Sequence, residues 1–170
     1  RNLALKEEHT YRVREHALRI ASGLGLNDHD TALAEVIALF HDVGRFPQYQ
    51  EYRTFRDSES VNHAMLGAKV LITGNVLTGL PKSEQHLVVR AVTLHNVFTL
   101  PHRLDRHVEL HARIIRDADK LDIWRIFSEI FSLPESARPN AAGLGLPESP
   151  AYEPRVLEQL QRRAMVRLAS

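Results

Sequence analysis

The sequence predicts an all-α fold, and three observations support this prediction. Apolar residues recur every three or four positions through most of the chain, as in Val13, Ala17 and Ile20, which is the spacing of one helix face. Glycine and proline separate these periodic segments. No pair of segments alternates apolar and polar residues as paired strands do. With 170 residues, of which 44% are hydrophobic, the chain is sized for one domain over residues 1–170.

Glycines bound the first two predicted helices. The first helix is expected to end at Gly23 and Gly25, because glycine is a common helix stop signal. Asn27 or Asp28 is expected to cap the second helix, since a short polar side chain there can accept a backbone hydrogen bond. The second helix is expected to break at Gly44, shortly before a proline.

The middle of the chain is predicted to contain a loop and two further helices. Residues 46–57 mix polar and aromatic side chains without a clear period, which indicates a loop. A third helix is expected over about residues 59–72. Ser83 is expected to cap a fourth helix, which Pro101 would end.

The last third of the chain is predicted to contain two helices separated by a loop. A long apolar helix is expected from about Arg106 to Phe131. Residues 134–154 are rich in proline, which indicates a loop or a lid. The last helix is expected over about residues 153–168.

Composition argues against several classes of function. The formal net charge is only +1, and the 25% of charged residues are of both signs, so non-specific binding of nucleic acid is not expected. Only 6% of the residues are aromatic, which argues against a platform for stacking bases. The absence of cysteine excludes disulfides and thiolate metal ligands. No apolar run is long enough for a bilayer and no signal peptide is recognisable, so we expect a cytoplasmic protein without a membrane partner.

Several of the ten histidines lie on the apolar faces of predicted helices. His9 lies four residues before Val13, and His41 lies four residues after Ile37, so each continues an apolar stripe. His95 extends the apolar row of the fourth helix. A buried imidazole is costly unless it is paired or bound to a cation. Several such residues on successive helices therefore predict one shared site, as in bundles whose helices project ligands inwards.

Aspartates occupy similar positions in the long helix. Asp119 and Asp122 lie on its apolar row, but periodicity alone does not choose between Asp119 and Asp117, which could equally be a solvated charge. A lone histidine on an apolar face is more often a core residue with one hydrogen bond, and His16 fits that interpretation. Five further histidines are interpreted as surface or loop residues without a role: His29, His86, His102, His107 and His111.

The dipeptide His41-Asp42 carries a resemblance to a known family. It ends an apolar helix and is followed by Gly44 and a basic residue, which is similar to the motif of the HD superfamily of metal-dependent phosphohydrolases. His9 matches the family's first histidine, and Asp119 matches its last ligand. The order His…His-Asp…Asp of that superfamily is therefore complete.

His63 and His95 match an extended version of the pattern, and the resemblance covers about residues 7–131. Proteins of this extended kind, which include cyclic-dinucleotide phosphodiesterases and some dinucleotide polyphosphate hydrolases, hold two metals. Two positions differ from them. Leu5 stands where some two-metal cyclic-dinucleotide enzymes place a bridging glutamate, and Arg45 stands where lysine is commoner. The Gly-Tyr-Pro signature is also missing, so the cyclic-dinucleotide assignment is not supported.

The resemblance implies a metal site with six ligands: His9, His41, Asp42, His63, His95 and Asp119. Asp42 is assigned as the bridge between two ions, because a carboxylate offers two oxygens to two cations. His9, His41 and Asp119 would complete the ligands of one ion, and the other two histidines would bind the second. Such ligands suit one or two divalent ions of Mn, Fe, Co, Ni or Zn, with Mg²⁺ as a further candidate.

The predicted function is hydrolysis of a phosphomonoester or phosphodiester by a metal-activated hydroxide, in a nucleotide or a related small phosphorylated metabolite. Asp42 and Arg45 are the residues assigned to catalysis. Arg45 would also bind a phosphate oxygen of the substrate, and the alternative for it is a surface ion pair. A homo-oligomer is compatible with the sequence.

Two alternative functions stay open: a di-iron oxygenase on the same fold, and a non-catalytic module that carries oxygen or senses a metal or ligand. The contiguous pair His41-Asp42 argues against the spacings of hemerythrin-like oxygen carriers. A degenerate sensing module would usually have lost ligands, and the core set is complete here.

Overall fold

Helices account for all the regular structure in the part of the chain that the structure describes, which is residues 2–134 and 153–162 with the single positions 164 and 166. The computed structural model contains no strand among these residues, so the predicted all-α fold is confirmed. The helices are α1 (Asn2–Gly23), α2 (Asp28–Phe40), α3 (Arg45–Tyr52), α4 (His63–Thr73), α5 (Lys82–Leu94), α6 (Arg106–Phe131) and α7 (Pro154–Gln161), and a 3₁₀ turn covers Asp57–Glu59.

Short polar side chains start three of these helices. Asn27 caps α2, as predicted, because its Oδ1 accepts a 2.8 Å hydrogen bond from the backbone nitrogen of Asp30. Asn62 caps α4 in the same way, with a 3.0 Å bond from Met65. Asp105 caps α6 and accepts bonds from two backbone nitrogens of the first turn.

The predicted cap of α5 is wrong. Pro81 is the N-cap, and its carbonyl oxygen accepts hydrogen bonds from Glu84 and Gln85 at 3.0 and 2.9 Å. Ser83 therefore lies inside the first turn of the helix. The helix also ends earlier than predicted, with His95 as its C-cap.

The loop predicted over residues 46–57 is wrong in its first half, which forms α3. Pro47 does not stop a helix here, because it lies in the first turn, where its missing N–H needs no acceptor. The helix ends at Arg53, which has a φ of 57° and donates its N–H to the carbonyl of Tyr49. A 3₁₀ turn occupies the predicted start of the next helix, which begins at His63 instead of residue 59.

Near the end of the chain, the predictions fall partly on the described residues. The predicted loop or lid over residues 134–154 lies mostly outside them. The helix α7 lies inside the predicted range 153–168, and the rest of that range is described only at 153, 162, 164 and 166. The helix α6 has the predicted bounds. Within residues 2–134 and 153–162, none of the helices is both long and apolar enough to cross a membrane.

The core lies between α1, α2, α4, α5 and α6. The helix α1 packs against α2 and α6, while α5 packs against α2, α4 and α6. Side chains at the centre are at most 1% exposed, among them Val13, Ile37, Leu71, Val88 and Ile115. Full burial of such a side chain contributes roughly 1.5–3 kcal/mol. This packing fixes the helix ends, which carry the polar residues of the predicted site.

Two glycines bring the turn after α2 directly against α4. A Cβ atom on Gly44 would overlap the carbonyl oxygen of His63 and would lie 2.5 Å from the nitrogen of Gly67. A Cβ atom on Gly67 would in turn lie 3.3 Å from the nitrogen of Gly44. A larger residue at position 44 cannot make this approach. The contact places His63 next to the residues that end α2.

Candidate metal centre

Six buried polar residues from five segments of the chain converge on one point. They are His9 in α1, His41 and Asp42 in the turn after α2, His63 at the start of α4, His95 at the end of α5, and Asp119 in α6. None of the six is more than 7% exposed. These are the six ligands that the resemblance implies, and the structure brings all of them together. Burial of so many imidazole and carboxylate groups is costly unless cations or protons compensate.

Asp42 lies between two pairs of histidines. Its Oδ2 atom is 3.7 Å from Nε2 of His9 and 3.8 Å from Nε2 of His41. Its Oδ1 atom is 3.4 Å from Nε2 of His63 and 3.8 Å from Nε2 of His95. Each carboxylate oxygen therefore faces one pair of imidazoles, which is the arrangement needed for a carboxylate shared by two cations.

Asp119 lies beside the first of these pairs. Its Oδ1 atom is 3.3 Å from Nε2 of His9 and 3.9 Å from Nε2 of His41. Its other oxygen pairs with Lys120. Asp117, which periodicity does not distinguish from Asp119, is exposed. The buried aspartate is therefore the better ligand of the two.

All four histidines of the cluster donate a hydrogen bond from Nδ1. Two bonds go to carboxylates and two to backbone carbonyls: His9 to Asp122 at 2.7 Å, His63 to Asp57 at 2.7 Å, His41 to Ala38 at 2.8 Å and His95 to Val92 at 2.7 Å. Because these oxygens only accept, the hydrogen lies on Nδ1. The Nε2 lone pair of each neutral imidazole then points into the cluster, which is how metal-binding histidines are oriented.

Within each pair, the two Nε2 atoms face each other at short range. The separation is 3.3 Å between His9 and His41, and 2.9 Å between His63 and His95. Two lone pairs at these distances repel unless a cation or a proton lies between them. A metal ion bound by both nitrogens of a pair removes the repulsion, so the donor set fits a metal in each half of the cluster.

Burial and hydrogen bonds set the charge of the histidines. Burial lowers the pKa of His41, and it lowers the pKa of His95 to about 3. Both rings are therefore neutral at physiological pH and available as ligands. Burial also lowers the pKa of His9, but its hydrogen bonds with Asp119 and Asp122 outweigh this effect, so the pKa of His9 is raised. A proton on His9 can therefore take the place of a metal ion between the Nε2 atoms of His9 and His41.

Lys6 is a residue of the cluster that the predictions from sequence miss. Its Nζ donates a 2.8 Å hydrogen bond to Oδ2 of Asp42, and the side chain is only 14% exposed. Burial raises the pKa of Asp42, but the positive charges of Lys6 and Arg45 oppose burial, and this pKa is held well below its usual range. The sequence offers one signal that could have identified Lys6: it precedes His9 by three residues and thus lies on the same face of the helix.

Arg45 is held beside the cluster by three hydrogen bonds. Its Nη1 donates to Asp57 at 2.8 Å, to Gln48 at 2.9 Å and to the carbonyl of Phe55. Its Nε lies 3.5 Å from Oδ1 of Asp42 and has no hydrogen-bond acceptor among the described residues. With a side chain only 15% exposed, Arg45 is not a surface ion pair. Its contact with a substrate phosphate stays a prediction.

Asp57 and Asp122 complete the surroundings of the cluster, and the predictions from sequence give neither of them a role. Asp122 lies on the same face of α6 as Asp119, three residues away, which is a usable signal. Asp57 lies in the 3₁₀ turn between α3 and α4, inside the segment interpreted as a loop. No spacing in the sequence connects it to His63.

Among the remaining histidines, the prediction for His111 is wrong and that for His16 holds only in part. His29, His86, His102 and His107 are exposed, as expected, whereas His16, interpreted as a core residue, is only partly buried. His111, which is predicted to lie at the surface or in a loop, is only 1% exposed. It faces α2 from α6, and its Nε2 lies 3.2 Å from the carbonyl oxygen of Asp30.

Comparisons with known proteins agree with this geometry. A family model described as HD domain matches residues 7–124 of the chain. The chain is also similar to a crystal structure of a predicted HD superfamily hydrolase from an uncultured Thermotogales bacterium, with 28% sequence identity and a TM-score of 0.51. That similarity covers 92% of this chain and 78% of the other protein. No curated protein sequence matches the chain.

Proposed function

The chain belongs to the HD domain family, and on that premise we propose that it hydrolyses a phosphomonoester or phosphodiester in a small molecule, such as a nucleotide or a related phosphorylated metabolite. The observation that carries the proposal is the geometry of Asp42, each of whose oxygens faces a pair of buried imidazoles with inward Nε2 atoms. Such a donor set would suit two cations, and pairs of cations serve phosphoryl hydrolysis.

The ligands divide into two sets that share Asp42. His9, His41 and Asp119 complete the first, and His63 with His95 completes the second. Nitrogen and oxygen donors without sulfur suit divalent Mn, Fe, Co, Ni or Zn, and Mg²⁺ would find too few oxygens here. Bound there, the ions would lower the pKa of a water molecule towards 7 and neutralise charge on the phosphoryl oxygens.

Two cationic side chains are available for the substrate. The ammonium group of Lys6 lies 2.8 Å from Asp42, and Nε of Arg45 lies 3.5 Å from the other oxygen of the same carboxylate. A cation that binds Asp42 competes with Lys6 for its oxygen, which frees the ammonium group for an anionic ligand. The N–H at Nε of Arg45 lacks an acceptor among the described residues, so a phosphoryl oxygen would satisfy it.

The test is removal of the shared ligand. Asp42→Ala and His41→Ala are compared with wild type and with His86→Ala, which removes an exposed histidine of α5. Metal content is measured by elemental analysis, and phosphate release is measured with a general phosphodiester, a general phosphomonoester and a panel of phosphorylated metabolites. The two cluster variants should keep a helical circular dichroism spectrum and lose both the metal bound by the cluster and turnover, whereas His86→Ala keeps both. Wild-type turnover in either cluster variant would contradict the proposal.

The same experiment separates the alternative functions. A di-iron oxygenase would consume oxygen in the presence of iron and release no phosphate. A non-catalytic sensing module would bind metal through the same residues without turning over any substrate in the panel. The complete set of six ligands gives no support to a module that has lost its chemistry.

A further inference from the structure

A second group of potential metal ligands lies far from the proposed catalytic cluster. Asp30 lies in the first turn of α2, while His107 and His111 lie in the first two turns of α6. The catalytic ligands lie at the other end of α2 and further along α6. At 1.5 Å per residue, the distance along α2 from Asp30 to His41 is about 16 Å. The two groups are therefore separate.

The three side chains are arranged as a chelate. His107 and His111 are four residues apart in one helix, so they share a face, and their ring centroids are 4.8 Å apart. Nε2 of His107 lies 2.6 Å from Oδ1 of Asp30, and the donor atoms of all three residues lie within 4.8 Å of one another. Two histidines at this helical spacing are a recurrent zinc-binding pattern.

The hydrogen-bond geometry of His111 points to a cation. Its Nδ1 lies 3.0 Å from the carbonyl oxygen of His107, and its Nε2 lies 3.2 Å from the carbonyl oxygen of Asp30. Both carbonyls only accept hydrogen bonds, whereas a neutral imidazole carries one N–H. In the neutral ring one nitrogen therefore faces an oxygen lone pair, and only a proton or a metal ion can relieve that contact, because the ring is too deeply buried for water to do so. A cation bound at Nε2 gives that lone pair a partner and leaves Nδ1–H for His107.

The carboxylate in this group is also held in place. Nδ2 of Asn27 donates a 3.0 Å hydrogen bond to Oδ2 of Asp30, which leaves Oδ1 directed at His107. The hydrogen bond from His107 lowers the pKa of Asp30, so the group is an anion at neutral pH. Outer hydrogen bonds of this kind orient the ligands of known metal sites.

We propose that Asp30, His107 and His111 bind a further divalent transition-metal ion, which fastens the start of α2 to the start of α6. One carboxylate and two imidazoles, with the carbonyl oxygen of Asp30 nearby, form a donor set that suits Zn²⁺, Ni²⁺, Co²⁺ or Cu²⁺. The His107 side chain is 45% exposed, which gives an ion and its remaining water ligands access to the group. An ion that binds only the folded chain stabilises it by mass action.

Zn²⁺ is the probe for this group. Zinc bound per chain is measured by equilibrium dialysis for wild type, for His107→Ala and for the matched control His86→Ala, an exposed histidine outside every potential metal cluster among the described residues. His107 is changed first because it is exposed, whereas His111 also fills core space. We expect His107→Ala to bind one zinc ion fewer than His86→Ala, with unchanged turnover in both. Added Zn²⁺ should raise the melting temperature of the control more than that of His107→Ala.

A second comparison makes the result independent of the catalytic proposal. In an Asp42→Ala background, the shared catalytic ligand is missing, and Asp30→Asn is added as a variant of nearly unchanged shape. Loss of one zinc ion on adding Asp30→Asn assigns that ion to the second group whatever becomes of the phosphohydrolase activity. Equal zinc content with and without Asp30→Asn, or equal content in His107→Ala and His86→Ala, would overturn the proposal and leave an ordinary ion pair.

Discussion

Replacement of Asp57 by asparagine should weaken both the fold and the metal cluster. The Asp57 carboxylate accepts a 2.7 Å hydrogen bond from Nδ1 of His63, a 2.8 Å bond from Arg45 and a 3.0 Å bond from Gln48. Asp57→Asn keeps the shape of the side chain. It removes the charge, however, and it turns one acceptor into a donor that faces other donors.

The magnitude follows from the pKa of Asp57. Burial raises this pKa, but the hydrogen bond from His63 and the charge of Arg45 oppose burial, and the pKa is lowered from 3.8 to about 2. At about 1.4 kcal/mol per pKa unit, the carboxylate contributes up to about 2 kcal/mol to the free energy of unfolding at neutral pH. Because the folded-state pKa is the lower one, this contribution is present above pH 3.8 and is lost as the pH falls towards 2.

Urea unfolding of the metal-free protein between pH 7 and pH 3 measures this contribution. The difference between wild type and Asp57→Asn should stay near its full value from pH 7 to pH 5 and fall by about half at pH 3. Glu59→Gln is the matched control, since Glu59 lies in the same turn and its side chain is 51% exposed. In the metal-bound protein, loss of the His63 acceptor should weaken metal binding by about 10–100-fold. A difference that does not change with pH, or an equal effect of Glu59→Gln, would refute the reasoning.

Three further predictions concern other parts of the cluster. The double variant His63→Ala/His95→Ala should lose one of the two metal ions of the cluster and most of the turnover but keep the other cluster ion, whereas metal content equal to that of wild type by elemental analysis would leave a cluster with a single metal. Gly44→Ala should lower the unfolding free energy by about 3 kcal/mol or more, because its Cβ would overlap the backbone of α4, while Gly79→Ala, which has open space, should change it little in urea titrations. Lys6→Gln should raise KM for a phosphorylated substrate without weakening metal binding by calorimetry, and an unchanged KM would remove Lys6 from substrate binding.

Most of the fold could be predicted from the sequence because the helices are amphipathic and their ends carry recognisable signals. The bounds of α6 and the Asn27 cap agree with the sequence pattern. The helix α3 could not be predicted in this way. Its apolar residues show no clear period, and Pro47 has the same appearance in a sequence whether it stops a helix or begins one. Only the position of that proline within the first turn distinguishes the two cases.

The six residues of the cluster could be named as candidate ligands from the order of a few motifs, but their surroundings could not. Nothing in the spacing of the sequence places Asp57 beside His63, since Asp57 lies in a separate 3₁₀ turn before the helix that His63 begins. Arg45 is similar. The sequence shows a basic residue after Gly44, whereas its hydrogen bonds to Phe55 and Asp57 depend on how the chain after α3 returns to the start of that helix. Long-range side-chain contacts of this kind leave no period and no motif.

Two of the candidate ligands, however, lie at helix ends, where the backbone itself can orient an imidazole for metal binding. His41 is the C-cap of α2 and His95 is the C-cap of α5. The last carbonyls of a helix have no partner within it, so an imidazole at the C-cap can donate Nδ1–H to the carbonyl three residues earlier, as His41 does to Ala38 and His95 to Val92. This one bond gives the carbonyl a partner and also fixes the hydrogen on Nδ1. The Nε2 lone pair is then the only one that the ring can offer to a metal. A helix that ends in histidine on its apolar face thus presents an oriented metal ligand without any help from a second side chain.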